Sequence, residues 1–196
     1  MNRADVTELH FITAISNVTS ILEHGILSHA HAEQLDHHSV AMPEIQEIRA
    51  DKQILGAERL HEYANLYFDA HNPMLSKCRN QNNEICVLHV DSAVIDLQGV
   101  IVSTQNASSD YASFWPVADG LMRIDKDRVF ARYWTHGENQ YEEWRHKSEK
   151  CAEVLVPDRV NPGYILGAYV ANQIAFNAFQ VLNSGLPVSI RSNMFF

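Results

Sequence analysis

The sequence predicts an α+β domain in which short strands and short helices follow one another along a single chain. Three observations carry that expectation. Apolar runs of strand length, rich in Val and Ile, recur at Glu8–Thr13, Glu84–Val90, Val100–Ser103, Ala152–Val156 and Gly163–Val170, with Gly, Pro, Asn and Asp at the turns. Between them lie segments with helix start and stop signals, such as Pro43 and Gly25. A chain of 196 residues, 46% hydrophobic and 20% charged, is long enough for one domain with a sizeable core and too apolar to stay disordered.

In chain order, Glu8–Thr13 alternates as a first strand and carries His10; a helix follows from Asn17 or Thr19 through Glu23 and stops at Gly25. A histidine on such a strand is either a hydrogen-bonded core residue or a functional one. His29, His31, His37 and His38 lie in the polar stretch Ser28–Ser39. Their spacing fits no helical metal pair, so the stretch reads as a mobile, solvated loop. Pro43–Lys52 is helical, with Pro in its first turn. Arg49, one turn beyond Ile45, is either a surface ion-pair partner or a fixed guanidinium facing a phosphate or carboxylate. On the surface reading, Arg49→Ala lowers the rate more than it weakens folding.

Asn65–Asp69 is an aromatic strand that breaks at Asn72-Pro73, where a helix start offers free N–H groups to a phosphate or a base edge. Two more strands, Glu84–Val90 and Val100–Ser103, turn around Asp96 and Gly99. From Met122 to Trp134 the basic residues Arg123, Lys126, Arg128 and Arg132 interleave with Phe130, Tyr133 and Trp134. That pattern suits either a single nucleic-acid strand or an amphipathic helix. Ser148–Pro157 begins polar, becomes a strand and stops at proline. Glu153 stands at its threshold as either a strand-edge glutamate beside Lys150 or a cleft carboxylate with a partner. Gly163–Val170 is a late strand, Ala171–Asn183 a helix ended by Gly185-Leu186-Pro187, and Pro187–Ile190 a last strand.

The net charge of −9, with 15 basic residues, excludes the whole surface as a trap for nucleic acid or anionic membrane; binding of nucleic acid must be local. The first residues lack an apolar signal region and no run reaches the roughly 18 apolar residues of a membrane helix, so a cytoplasmic protein is expected. Cys78, Cys86 and Cys151 form no CxxC pair, which argues for free thiols and against a metal site.

The residues His10-Phe11-Ile12-Thr13 with Asn17 and Ile21-Leu22, Ser39-Val40-Ala41 with Ile45-Gln46-Glu47 and Arg49, Tyr67-Phe68 through Asn72-Pro73-Met74-Leu75, and Ala152-Glu153-Val154-Leu155-Val156 resemble the DarT-type DNA ADP-ribosyltransferases, toxin halves of bacterial toxin–antitoxin pairs. The resemblance runs nearly the whole length. It implies an ADP-ribosyltransferase fold, split and largely antiparallel sheets with flanking helices around an NAD cleft. It further implies NAD as a substrate, no metal, single-stranded DNA as acceptor and a macrodomain-type antitoxin as partner. In that reading Glu153 and Arg49 are catalytic, and His10, Ile12, Thr13, Asn17, Leu27 and Tyr67 join Arg49 in holding NAD. Asn72, Met74, Asn106, Ser109, Tyr111, Phe114 and Trp134 meet the DNA. Thymine is the expected target; guanine, RNA, protein or a binding-only role are the alternatives. Where such proteins carry an arginine before the Asn-Pro-Met turn, this chain has His71.

Overall fold

A computed structural model describes residues 1–40, 42–54, 56, 58–137 and 139–196; Ala41, one of the motif residues above, lies outside them. The strands are β1 (Glu8–Ala14), β2 (Ile26–Leu27), β3 (Tyr63–Tyr67), β4 (Ile85–Asp91), β5 (Ile101–Ser103), β6 (Phe114–Pro116), β7 (Glu153–Pro157), β8 (Arg159–Val160), β9 (Ile165–Val170) and β10 (Val188–Ile190). The helices are α1 (Val18–His24), α2 (His29–Ala32), α3 (Pro43–Asp51), α4 (Pro73–Lys77), α5 (Val117–Arg123), α6 (Lys126–Val129), α7 (Gln140–Glu149) and α8 (Gln173–Gln180). Short 3₁₀ turns link several of them.

Eight strands form one sheet in the order β10-β9-β4-β1-β3-β7-β5-β6, and β2 pairs with β8 beside it. All pairs are antiparallel except β10 with β9. The two expected sheets are therefore joined, but by a thin seam: β1 runs along β4 from end to end, whereas β1 and β3 meet only at His10 and Tyr67. Beyond that point the strands diverge, and the divergence opens the face of the sheet.

The sheet is buried on both faces, which is why its strands read as continuous apolar runs. Alternate residues serve different cores. Cys86, Leu88 and Val90 of β4 pack with Leu9, Leu66, Val154 and Phe179, while Ile85 and Val87 pack with Ile12, Leu75, Tyr169 and Phe195. Under β3 and β7, Tyr63 and Leu155 join Ile54 and Leu60. Gly25 ends α1 at φ 93, and a Cβ there would stand 2.3 Å from the Val160 carbonyl oxygen, so only glycine lets β2 close on β8.

Three expectations change. Ser28–Ser39 is not simply a loop, since His29–Ala32 forms α2. The basic stretch from Met122 to Trp134 is not one amphipathic helix: α5 ends at Arg123, and Asp125 starts α6 by accepting from the N–H groups of Asp127 and Arg128 at 3.0 and 3.2 Å. Helix α7, just before the Glu153 strand, is an element that the strand reading of Ser148–Pro157 did not include. Among the described residues no helix is long and apolar enough to cross a membrane.

Candidate active site

Directly paired residues of an antiparallel ladder point to the same face. The register therefore aligns one row across the sheet: His89, His10, Tyr67, Glu153, Ser103 and Phe114. Neighbouring strands lie about 4.8 Å apart, so the strands of His10 and Glu153 are separated by about 10 Å with Tyr67 between them. Over this row, where β1 and β3 part, lies a cleft of about 530 Å³, within the range of small-molecule sites.

Helix α3 lines the cleft with Ile45, Gln46 and Arg49, which share one helical face. Its guanidinium is buried, and Nη1 donates to both carboxylate oxygens of Glu153 at 3.2 Å. Glu153 is 1% exposed and is reached from the cleft by way of Arg49. Its Oε1 also accepts from the Ala107 N–H at 2.9 Å. That amide is held in place by the Asn106–Ser109 turn: the Asn106 N–H donates to the Ser148 carbonyl of α7 at 2.9 Å, and Lys52 Nζ donates to the Ser109 carbonyl. Arg49 is thus a fixed guanidinium facing a carboxylate, not a surface pair. Lys150, the sequence neighbour of Glu153, is fully buried and turns instead to Asp69 and to the Val129 carbonyl oxygen.

The phenol of Tyr67 is raised well above its ordinary range by burial and then by the nearby Glu153 carboxylate. His10 is 4% exposed, and neither ring nitrogen has a well-formed hydrogen bond. Its Nε2 stands 3.4 Å from Glu8 Oε1, whose other oxygen accepts from the Tyr169 hydroxyl at 2.9 Å. Two more buried polar atoms without partners, Gln46 Oε1 and His61 Nε2, belong to cleft-lining side chains. Burial lowers the His61 imidazole, and His29 and Arg49 push it the same way. Unpartnered buried polar atoms are costly unless something else satisfies them, and a polar ligand would do so.

The histidine segment forms a wall of this cleft through His29, His37, His38, Ser39 and Val40. Asn17 clamps it: its amide donates to the His38 carbonyl at 2.8 Å and accepts from the His38 N–H at 2.9 Å. From the other side, Trp144, Lys147 and Ser148 of α7 complete the wall. The cleft roles of His29, His37, His38, Trp144 and Lys147 escaped the sequence reading, although the density of histidines and the Asn139-x-x-Glu142 start of α7 were visible signals.

Of the residues singled out in the sequence, Ile12, Thr13, Asn17, Leu27, Arg49, Tyr67, Met74, Asn106 and Ser109 line the cleft. His10 lies in the same row but is not part of the lining. Asn72 differs from the expectation of a DNA contact. It has no exposure, its oxygen caps α4 by accepting from the Leu75 N–H at 3.0 Å, and its amide donates to the Asp69 carbonyl. Tyr111 is 86% exposed and stands outside the cleft. Phe114 packs on the Tyr63 and Leu155 core, with Lys52 over its ring at 5.7 Å. Trp134 borders a separate recess beside the cleft. His71 is packed flat on Phe196 at 4.1 Å and its Nδ1 bonds the Met194 carbonyl at 2.8 Å, so it is held within the fold there. Among the described residues no three His, Cys, Asp or Glu side chains group as metal ligands.

Comparison with known proteins adds the following. The family model described as "ssDNA thymidine ADP-ribosyltransferase, DarT" matches residues 10–196. A Thermosipho africanus DNA ADP-ribosyl transferase–DNA ADP-ribosyl glycohydrolase fusion protein is 30% identical over 202 residues, covering 96% of this chain and 49% of its own length. The structure of Thermosipho africanus DarTG in complex with ADP-ribose superposes with a TM-score of 0.82 at 29% identity, over 97% of this chain and 51% of that one. That of Thermus sp. 2.9 DarT in complex with ADP-ribosylated ssDNA superposes with a TM-score of 0.83 at 21% identity, over 100% and 99%. The chain spans about half the length of the Thermosipho relatives.

Proposed function

The chain belongs to the DarT family of single-stranded DNA thymidine ADP-ribosyltransferases, and from that membership and the geometry of its cleft we propose that it transfers ADP-ribose from NAD to thymine in single-stranded DNA. The observation that carries the proposal is the buried Arg49–Glu153 pair at a cleft lined by Arg49 and by Tyr67, the residue of the sheet row that stands between His10 and Glu153.

The reaction breaks the bond between the nicotinamide nitrogen and the ribose carbon and forms one from that carbon to a ring nitrogen of the base. Nicotinamide leaves, and the base gives up a proton. Positive charge builds on the ribose carbon as the bond breaks, and the fixed Glu153 carboxylate favours that state over the ground state. The same carboxylate accepts the proton of the incoming base or aligns it. Arg49 holds Glu153 in place through the two hydrogen bonds from its Nη1. Only Nη1 of its guanidinium bonds Glu153, which leaves its other donors for the diphosphate of NAD. The cleft suits such a ligand: the unpartnered atoms of Gln46 and His61 belong to side chains that line it, and by the family resemblance His10, whose ring nitrogens also lack a well-formed hydrogen bond, bonds a ribose hydroxyl. A base locked in a duplex cannot present its ring nitrogen, so the acceptor is a single strand.

The Thermosipho relative joins its transferase half to a DNA ADP-ribosyl glycohydrolase. By that likeness the mark made by the present chain is removed by a DNA ADP-ribosyl glycohydrolase, and by the family resemblance the chain acts as a toxin with a macrodomain-type antitoxin. Its three buried free thiols suit the reducing cytoplasm, where NAD and DNA meet.

The test is incubation with NAD and short oligonucleotides of defined base content, read by mass. An adduct on thymine-containing single strands, reduced at least about 100-fold in Glu153→Gln, supports the proposal. An adduct confined to guanine-only DNA, RNA or protein rejects the thymine assignment, and release of nicotinamide with no acceptor modified rejects the transferase role.

A further inference from the structure

An acidic protein that handles a polyanion must concentrate its unpaired cations where the strand runs. Of the 15 lysines and arginines, Arg3, Arg49, Lys126, Arg128, Arg145 and Lys150 are paired with carboxylates. Lys52, Arg132 and Arg159 donate to backbone carbonyls. Arg123 and Arg191 lie over the rings of Trp115 and Tyr169 at 3.9 and 4.5 Å. In the basic stretch that looked most like a nucleic-acid surface, Lys126 and Arg128 are thereby neutralised by carboxylates, and Arg123 and Arg132 are engaged by a ring and a carbonyl. Four cations remain without such a partner among the described residues: Arg59, Lys77, Arg79 and Lys147.

Three of those four border one recess. It is about 270 Å³, lined also by Ser76, Asn80 and Trp134, and it contains no carboxylate. Lys77 and Lys147 line both this recess and the NAD cleft, so the two adjoin along a shared ridge. Trp134 is braced edge-on by Phe196 at 5.7 Å, and Phe196 in turn is stacked on His71. The recess therefore offers cations on one side and a braced aromatic ring on the other, the combination that holds a single strand by its phosphates and one base.

We infer that this recess seats the nucleotide next to the target base, its phosphates on Lys77, Arg79 and Lys147 and its base on Trp134, so that the strand passes over the ridge into the cleft. The inference rests on the single-stranded DNA acceptor proposed above. It also accounts for how a chain of net charge −9 holds DNA: repulsion elsewhere leaves this track as the favoured path.

Binding of a fluorescent thymine-containing single strand is measured over a range of salt concentrations for the wild type, Arg79→Gln and Trp134→Ala, with NAD affinity measured alongside. In Arg79→Gln the slope of log affinity against log salt becomes shallower by about 0.7, the share of one phosphate contact, while NAD affinity stays at the wild-type value. Trp134→Ala weakens the strand about fivefold or more, and a trimmed substrate too short to reach the recess is modified equally by the wild type and Arg79→Gln. Wild-type slope and affinity in both variants, with DNA still modified, overturn this placement alone. A wild-type protein that neither binds nor modifies single-stranded DNA overturns the acceptor assignment and this inference with it.

Discussion

Arg49→Ala tests whether the central ion pair is buried in fact. An exposed pair contributes about 0–1 kcal/mol, and on that footing the substitution would slow catalysis and leave folding nearly intact. The side chains of Arg49 and Glu153 are only 8% and 1% exposed. Removing the arginine leaves a carboxylate away from water with the Ala107 N–H as its remaining donor, and orphaning one partner of a buried pair costs about 3–5 kcal/mol. For a domain of this size each kcal/mol moves Tm by about 2–4 °C, so a fall of about 6–20 °C is expected. The cost should come mainly from the stranded charge. Arg49→Ala/Glu153→Gln removes that charge while its side-chain oxygen still accepts from Ala107, and it should recover about 1–3 kcal/mol relative to Arg49→Ala. Urea unfolding of the wild type, both single variants and the double variant closes the cycle, and transferase activity is lost in all three variants. A cost below about 1 kcal/mol for Arg49→Ala, or a double variant less stable than Arg49→Ala, would refute the reasoning.

Two further outcomes follow from titrating groups near the same sheet face. The Glu8 carboxyl is held at about 2, below its ordinary 4.5, chiefly by the His10 imidazole and also by the Tyr169 hydroxyl and His89. A depressed carboxyl stabilises the fold above its unfolded value and loses that contribution as pH falls, so the advantage of the wild type over Glu8→Gln should shrink between pH 4.5 and 2; an advantage unchanged across that window in acid-unfolding curves contradicts it. Cys151 lines the cleft, yet burial and the Glu153 carboxylate push its thiol up to about 12. Since the thiolate is the reactive form, iodoacetamide at pH 8 should leave Cys151 unmodified in the folded protein and alkylate it after denaturation. Rapid alkylation of the native chain would contradict this.

What could be read from the sequence was whatever local chemistry decides. The strands β1, β4, β5, β7 and β9 announced themselves by apolar runs between turn residues, and α3 and α4 by a proline in the first turn. Helix α7 went unread because its apolar residues form no stripe: Tyr141 and Trp144 are exposed. Its Asn139 cap, which accepts from the Glu142 N–H at 3.1 Å, was the available signal. The histidine segment was judged by metal spacing alone, and nothing local says that Asn17, 21 positions before His38, will clamp it onto a cleft. Resemblance supplied Arg49 and Glu153 as a pair. The register that places Tyr67 opposite both His10 and Glu153 is a property of the ladder and has no trace in the spacing of those residues.

Charge pairing shows most clearly why the remainder was hidden. Lys150 lies three positions before Glu153 and was the obvious local partner, but it precedes the strand and turns into the interior toward Asp69, which follows β3. Glu153, at the first residue of β7, faces the other way along the row of Tyr67 and takes Arg49 from a helix 104 residues distant. The buried Glu153 and the part-buried Asp69 therefore hold separate cations, each matched by topology and not by sequence proximity. Lys150 is committed elsewhere, so the cation hydrogen-bonded to Glu153 is Arg49, which belongs to α3, a cleft wall, and not to the sheet. A ligand that draws α3 across the cleft would shift Arg49 relative to a carboxylate fixed in β7. In the reaction proposed above, Glu153 is thus tied to a wall of the cleft that would take the dinucleotide.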